Sequence, residues 1–254
     1  MYEQFFEMTH TPFTRDVPPE ALYESPAMRD ALGRLAYVAD RQLFAVVTAD
    51  AGCGKSTLIR KFAASLPKEK YILLYLSDSK LTPRWFYRGD AKRQLQKEIE
   101  IVRGIQHKYV VCILDEAHLL EKEMLEEFRF LLNYRFDSMS PMALVLAGQT
   151  ELWENKLRLQ RYAAIRQRID INCVLPHLDR SETEQYICSH LSYAGSNRDI
   201  FSDKALDEVF RVTTGIPRMI NRICEKSLMY SFQQQKRIID DYMVKYVVEH
   251  EMLT

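Results

Sequence analysis

The stretch Ala49-Asp50-Ala51-Gly52-Cys53-Gly54-Lys55-Ser56-Thr57 most narrows what this chain can fold into. It follows the apolar run Leu43-Phe44-Ala45-Val46-Val47 and precedes Leu58-Ile59-Arg60-Lys61-Phe62. The order is strand, glycine-rich turn, helix, the context in which a phosphate-binding loop works. Glycines let backbone N–H groups curl around phosphate oxygens, and the N-terminus of the following helix adds its positive dipole end. In that arrangement Lys55 reaches the β- and γ-phosphates, and the Ser56 hydroxyl holds Mg²⁺. One position departs from the pattern G-x-x-x-x-G-K-[ST]: Ala49 stands where it has glycine. Alanine is small, but it resists positive φ.

A second segment agrees with the first. Tyr109-Val110-Val111-Cys112-Ile113-Leu114 is an apolar run of strand length, followed by Asp115-Glu116-Ala117-His118. In a nucleotide-binding α/β sheet the chemistry gathers at the C-terminal ends of parallel strands. Asp115 there can hold the Mg²⁺ shell, and Glu116 can orient or deprotonate an attacking water. An isolated Asp-Glu pair reads more simply as a helix cap and a solvated acid. Downstream of a phosphate loop, at the end of a buried type of strand, the catalytic reading is preferred. His118 reads as a packing or hydrogen-bonding residue rather than a catalyst.

The chain has 254 residues, enough for one large or two modest domains with a real core. Lys plus Arg equals Asp plus Glu at 35 each, so any nucleic-acid surface has to be local. Five cysteines, an odd number and widely spaced, make no disulfide framework and no metal-ligand spacing. They fit a reducing, cytoplasmic setting. Cys112 is expected in the core. Cys53, within the loop, is expected to be open to thiol reagents. Apolar runs are far shorter than a membrane span, and the N-terminus lacks a signal-peptide layout.

Strands are expected at 43–48, 71–76, 109–114 and 143–147, alternating with helices near 26–40, 55–66, 91–106 and 121–135. That alternation predicts a parallel sheet with helices on both faces. After residue 177 only helices are expected, at 181–194, 203–213, 217–233 and 240–251, capped by Asp179 or Ser181 and by Asp240-Asp241. The organisation read from this is a Phe/Pro-rich arm over 1–30, an α/β part over 31–176 and a helical part over 177–254. Phe5, Phe6, Phe13 and Tyr23 suggest that the arm packs rather than floats.

Three further features carry charge or polarity. Gln149 follows the strand at 143–147. Lys156, Arg158, Arg161, Arg166 and Arg168 form a basic run with no acid between them. That run reads as a solvated face, as a source of an arginine for a neighbour's nucleotide, or as a phosphate-backbone patch. In Gly215-Ile216-Pro217-Arg218 an arginine opens a helix, against the helix dipole, and so points to an anionic partner.

With these residues in place, the chain resembles the AAA+ ATPases. Phe5-Phe6, Pro12-Phe13, Leu22-Tyr23, Leu146-Ala147-Gly148-Gln149 with Leu152, and Gly215-Ile216-Pro217-Arg218 with Ile220-Asn221 narrow the likeness. They resemble a bacterial group of ExeA-type secretion ATPases and transposition helpers of the TnsC, TniB and MuB kind. The resemblance implies a P-loop AAA+ parallel sheet flanked by helices, followed by a small all-helical lid. It implies hydrolysis of ATP to ADP and phosphate with Mg²⁺. Residues Ala49 to Thr57 would form Walker A, with Lys55 and Ser56 making the contacts. Asp115 and Glu116 would form Walker B, Gln149 sensor 1 and Arg218 sensor 2. Arg166 or Arg168 would be an arginine finger supplied in trans, within a self-assembled ring or filament.

The preferred role is a cytoplasmic helper that oligomerises on double-stranded DNA and regulates a transposase. Lys80, Arg84, Arg88, Lys92 and Arg93, interleaved with Trp85, Phe86 and Tyr87, would meet the DNA backbone. The alternatives are a secretion-associated ATPase and a weakly hydrolysing nucleotide switch. Secretion ATPases of this group carry a membrane span after the ATPase, and none precedes Thr254 here. The stretch from Leu76 to Tyr109 is also short for the group.

Overall fold

The computed structural model describes residues 2–77, 97–99, 101–132, 140–196 and 198–251. They group into two compact units. One comprises Ala27–Ala51 and Leu58–Leu175, and the other comprises Met1–Pro26, Gly52–Thr57 and Pro176–Thr254.

The first unit is built on a parallel five-stranded sheet in the order β2-β3-β4-β1-β5. The strands are β1 Phe44–Ala49, β2 Tyr71–Leu76, β3 Tyr109–Leu114, β4 Ala143–Gly148 and β5 Ile171–Leu175. β1 and β4 pair in the register Phe44–Leu144 to Thr48–Gly148, and every residue of both is buried. Strands covered on both faces need continuous apolar runs, and these have them. β2 and β5 are the edges, and both leave residues in solvent. The sequence reading anticipated four of these strands and missed β5. Its core positions are Cys173 and Leu175, with Asn172 and an exposed Val174 between and before them. Five residues of broken alternation at an edge give little signal.

One core of this unit gathers Val46, Val110, Cys112, Leu114, Leu144 and Leu146 from the strands with Met124, Leu125 and Phe128 from the helix Lys122–Leu131. Residues 97–99 and 101–104 are helical, within the helix expected at 91–106. Residues 133–135, the end of the helix expected at 121–135, lie outside the described residues.

The second unit is helical. Its helices are Arg180–Tyr193, Asp203–Thr213, Pro217–Gln233 and Asp241–Glu251. Asp179 caps the first through a reciprocal pair: its side chain accepts from Glu182 N–H at 2.8 Å, and its own N–H donates to Glu182 Oε2 at 2.9 Å. Asp240 Oδ1 accepts from Met243 N–H at 2.9 Å at the start of the last. The N-terminal segment belongs to this unit's core. Tyr2, Phe6, Met8 and Phe13 are buried with Ile187, Leu191, Ile220 and Val244. Glu7 pairs with Arg198 and Arg237 on its rim.

Candidate active site

In the phosphate-loop segment Gly52 and Gly54 hold φ of 92° and 85°. Both lie outside what L-residues readily adopt, so glycine is required at each. Their conformation turns successive N–H groups toward one side, the geometry of an anion nest. The helix Lys55–Ser65 begins immediately after and presents its N-terminus there. Lys55 is buried, while Ser56 is exposed. Ala49 needs no positive φ. It is the last residue of β1, paired with Leu175 and 1% exposed, so the missing first glycine leaves the backbone unstrained. Cys53 corrects the expectation of reactivity: its side chain is buried.

Gly52 also meets Arg218. The Arg218 N–H donates to Gly52 O at 3.2 Å. A Cβ on Gly52 would lie 2.9 Å from Arg218 Cβ and 3.2 Å from Ile216 Cγ2. The helix Pro217–Gln233 opens on proline, so no N–H is lost at its first position, and its first turn carries no acid. The exposed Arg218 side chain therefore starts beside the phosphate loop.

At the end of β3, Asp115 is buried to 7% exposure. Its Oδ1 accepts from Glu116 N–H and its Oδ2 from Tyr75 O–H, both at 2.8 Å. Tyr75 stands on neighbouring β2. Its phenol is pushed up to about 12 by burial, by donation to Asp115 and by the charges of Asp115 and Glu116, so it stays a donor. Glu116 turns into the left-handed region, at φ 52° and ψ 32°, and leads into the short Ala117–Leu119 turn of helix. Such a conformation costs about 1–3 kcal/mol for a non-glycine residue and tends to persist at functional sites. It leaves the Glu116 side chain 40% exposed beside a buried Asp115. One carboxylate is held at both oxygens, and the other is partly exposed.

His118 is buried, as expected of a packing or hydrogen-bonding residue. Gln149 follows β4, and its N–H lies 3.4 Å from His118 Nδ1. Thr150 donates its hydroxyl to Asp50 Oδ1 at 2.5 Å, joining the turn after β4 to the phosphate-loop segment. Tyr75 and Thr150 were not anticipated from sequence.

Much of the basic run is engaged locally. Lys156 donates its ammonium to the carbonyls of His118 and Leu120. Arg158 pairs with Glu154, and Arg161 lies over the Tyr162 ring at 5.2 Å. Arg166 Nη1 donates to Leu157 O at 2.9 Å and Arg158 O at 2.7 Å. Arg168 is half-buried. Lys80, Arg84, Arg88, Lys92 and Arg93 lie outside the described residues.

Taken separately, each part fits a piece of a magnesium nucleotide: the glycine-turned loop with a lysine at a helix N-terminus fits phosphate, and the fixed carboxylate at a strand end fits a metal. Lys55 and the loop N–H groups would hold phosphate with Ser56 able to ligate a metal, and Asp115, in the other unit, has the chemistry of a metal ligand. Bound there, the metal would neutralise charge on the phosphates. Among the described residues no helix is long and apolar enough to cross a membrane.

Residues 38–155 match the AAA domain family. Over 248 residues the chain is 32% identical to General secretion pathway protein A of Aeromonas hydrophila, covering 91% of this chain and 45% of that protein. The chain thus spans less than half the length of that relative. The fold is similar to that of RuvB, the Holliday junction branch migration motor of Thermotoga maritima, with TM-score 0.61 at 18% identity over 89% of this chain and 69% of that one. It is also similar to a chain of Drosophila ORC bound to DNA, with TM-score 0.66 at 13% identity over 100% and 65%. At these identities the likeness is one of fold: a P-loop AAA+ sheet followed by a helical region. The family match and the secretion-pathway relative support an AAA+ protein of ExeA-like type.

Proposed function

We propose that this protein binds ATP with Mg²⁺ and hydrolyses it to ADP and phosphate. The pairing of a buried, doubly hydrogen-bonded Asp115 with a water-exposed Glu116 at the end of β3 carries this reading. Asp115 is suited to hold a metal in a fixed place, and Glu116 to orient or take a proton from water. Lys55 and the loop N–H groups bind the phosphates. Gln149, at the end of β4, and Arg218, beside Gly52, act as sensors of the transferred group. Arg168, or Arg166, acts on a neighbouring subunit's nucleotide in an assembled ring or filament.

The test separates binding from turnover. Lys55→Ala should lose affinity for a fluorescent ATP analogue. Glu116→Gln should retain that affinity and release no phosphate, because the carboxylate acts in the transition state more than in the ground state. Glu116→Gln hydrolysing at the wild-type rate would refute the assignment.

Two cellular roles follow from the same chemistry. The identity to General secretion pathway protein A across most of this chain supports a secretion-linked ATPase. The basic and aromatic stretch from Lys80 to Arg93 supports a DNA-bound helper of a transposase. Electrophoretic shift of long duplexes with ATP, with ADP and without nucleotide decides between them. No shift at low salt with ATP would remove the DNA role.

A further inference from the structure

The buried imidazole of His118 faces two groups through one nitrogen. Its Nδ1 is 3.4 Å from the Gln149 N–H nitrogen and 3.5 Å from Glu116 Oε2. One nitrogen cannot serve both. With a lone pair at Nδ1 it accepts from Gln149 and offers Glu116 nothing. With a proton at Nδ1 it donates to Glu116 and gives up Gln149.

The backbone around this ring is held in place. Lys156 binds the His118 and Leu120 carbonyls. Gly148, the last residue of β4, lets the chain approach: a Cβ there would lie 3.1 Å from His118 N. The ring thus stands at a fixed point between the end of β3 and the end of β4.

We propose that His118 is a positioning residue that ties the Glu116 carboxylate to the end of β4. When Nδ1 donates to Glu116, the carboxylate is oriented to act on water. When Nδ1 accepts from Gln149, that hold on the carboxylate is lost. Movement of Gln149 at a bound phosphate is thereby converted into a change in Glu116. The inference rests on the reading of Glu116 as the group that activates water.

Steady-state hydrolysis and thermal melting of wild type, His118→Leu and His118→Asn test it. Leucine fills the space without a polar atom. Asparagine places an amide oxygen or nitrogen near the Nδ1 position. His118→Leu should lower kcat about tenfold, the size of one hydrogen bond to a charged group, with KM within about twofold. His118→Asn should recover to within about threefold of wild type. A wild-type kcat in His118→Leu overturns the inference. So does an equal loss in both variants at wild-type melting temperature. If His118→Leu does not fold, His118→Gln replaces it, because its amide sits one bond farther out, and it must fall below His118→Asn in kcat. Gln matching or exceeding Asn overturns the proposal. A wild-type protein without turnover sinks the ATPase reading, whereas wild-type turnover with an unaffected His118→Leu sinks only this one.

Discussion

Lowering the pH should loosen the N-terminal segment from the helical unit through His190. This ring is 5% exposed. It stacks on Phe13 at 5.2 Å and lies 4.6 Å from the Tyr186 ring. Its Nδ1 accepts from the Phe13 N–H at 3.3 Å, a bond that requires the neutral ring. Burial pushes the imidazole down to about 4 from 6.5. The folded state therefore resists protonation while the unfolded state takes it up, so unfolding binds a proton between pH 6.5 and 4. Stability rises with pH across that window and is fully present above 6.5. At about 1.4 kcal/mol per pH unit, the interval gives about 3 kcal/mol lost by pH 4. His190→Asn can still accept from Phe13 N–H but does not titrate. Urea unfolding followed by circular dichroism at pH 7, 6, 5 and 4 should show wild type losing about 3 kcal/mol more than the variant. Parallel pH dependences would refute the reasoning.

Other outcomes follow from the site. Gly52→Ala should weaken ATP-analogue binding at least about tenfold, since φ 92° and the 2.9 Å approach to Arg218 both oppose a Cβ; wild-type affinity in a titration would contradict this. Arg166→Ala should lower the melting temperature through its lost carbonyl bonds, and Arg168→Ala should lose concentration-dependent hydrolysis. Mixing Arg168→Ala with Lys55→Ala subunits should restore part of that activity at hybrid interfaces; no recovery argues against an arginine supplied in trans. If the protein binds DNA, replacing Lys80, Arg84 and Arg88 with alanine should shallow the salt dependence of duplex affinity and spare ATP binding; an unchanged slope places the contacts elsewhere.

What was legible in the sequence was legible for local reasons. β1, β3 and β4 are buried on both faces and must be written as continuous apolar runs, whereas β5, at an edge, need not be. The helix starts at Asp179 and Asp240 were readable because capping uses side chains within three residues of the groups they bind. Lys55 and Asp115 were readable because each sits at a fixed offset from a strand end. The partners of Asp115 and Asp50 were not. Tyr75 reaches Asp115 from 40 residues away, and Thr150 reaches Asp50 from 100. Only the strand order, which sets β2 beside β3 and β4 beside both β3 and β1, brings them together.

The two local misreadings share one cause. Loop position suggested an open Cys53, yet between two positive-φ glycines it is buried. The Ala49 departure looked costly because the pattern was read as loop throughout, yet residue 49 is still strand. Glu116 is the converse case. Nothing in its type favours positive φ, and the chain adopts it where the Asp115 carboxylate can take the Glu116 N–H. That turn sends one acid inward to two donors and leaves the next partly exposed. A substitution that relaxes it, Glu116→Gly, would lose the carboxylate as well as the strain. Ala117→Pro separates the two, because proline disfavours a helical conformation at the residue before it and so presses on Glu116 while leaving its carboxylate in place. Hydrolysis in Ala117→Pro should fall with ATP binding retained; unaltered turnover would show that the left-handed turn is not needed for the carboxylate to act.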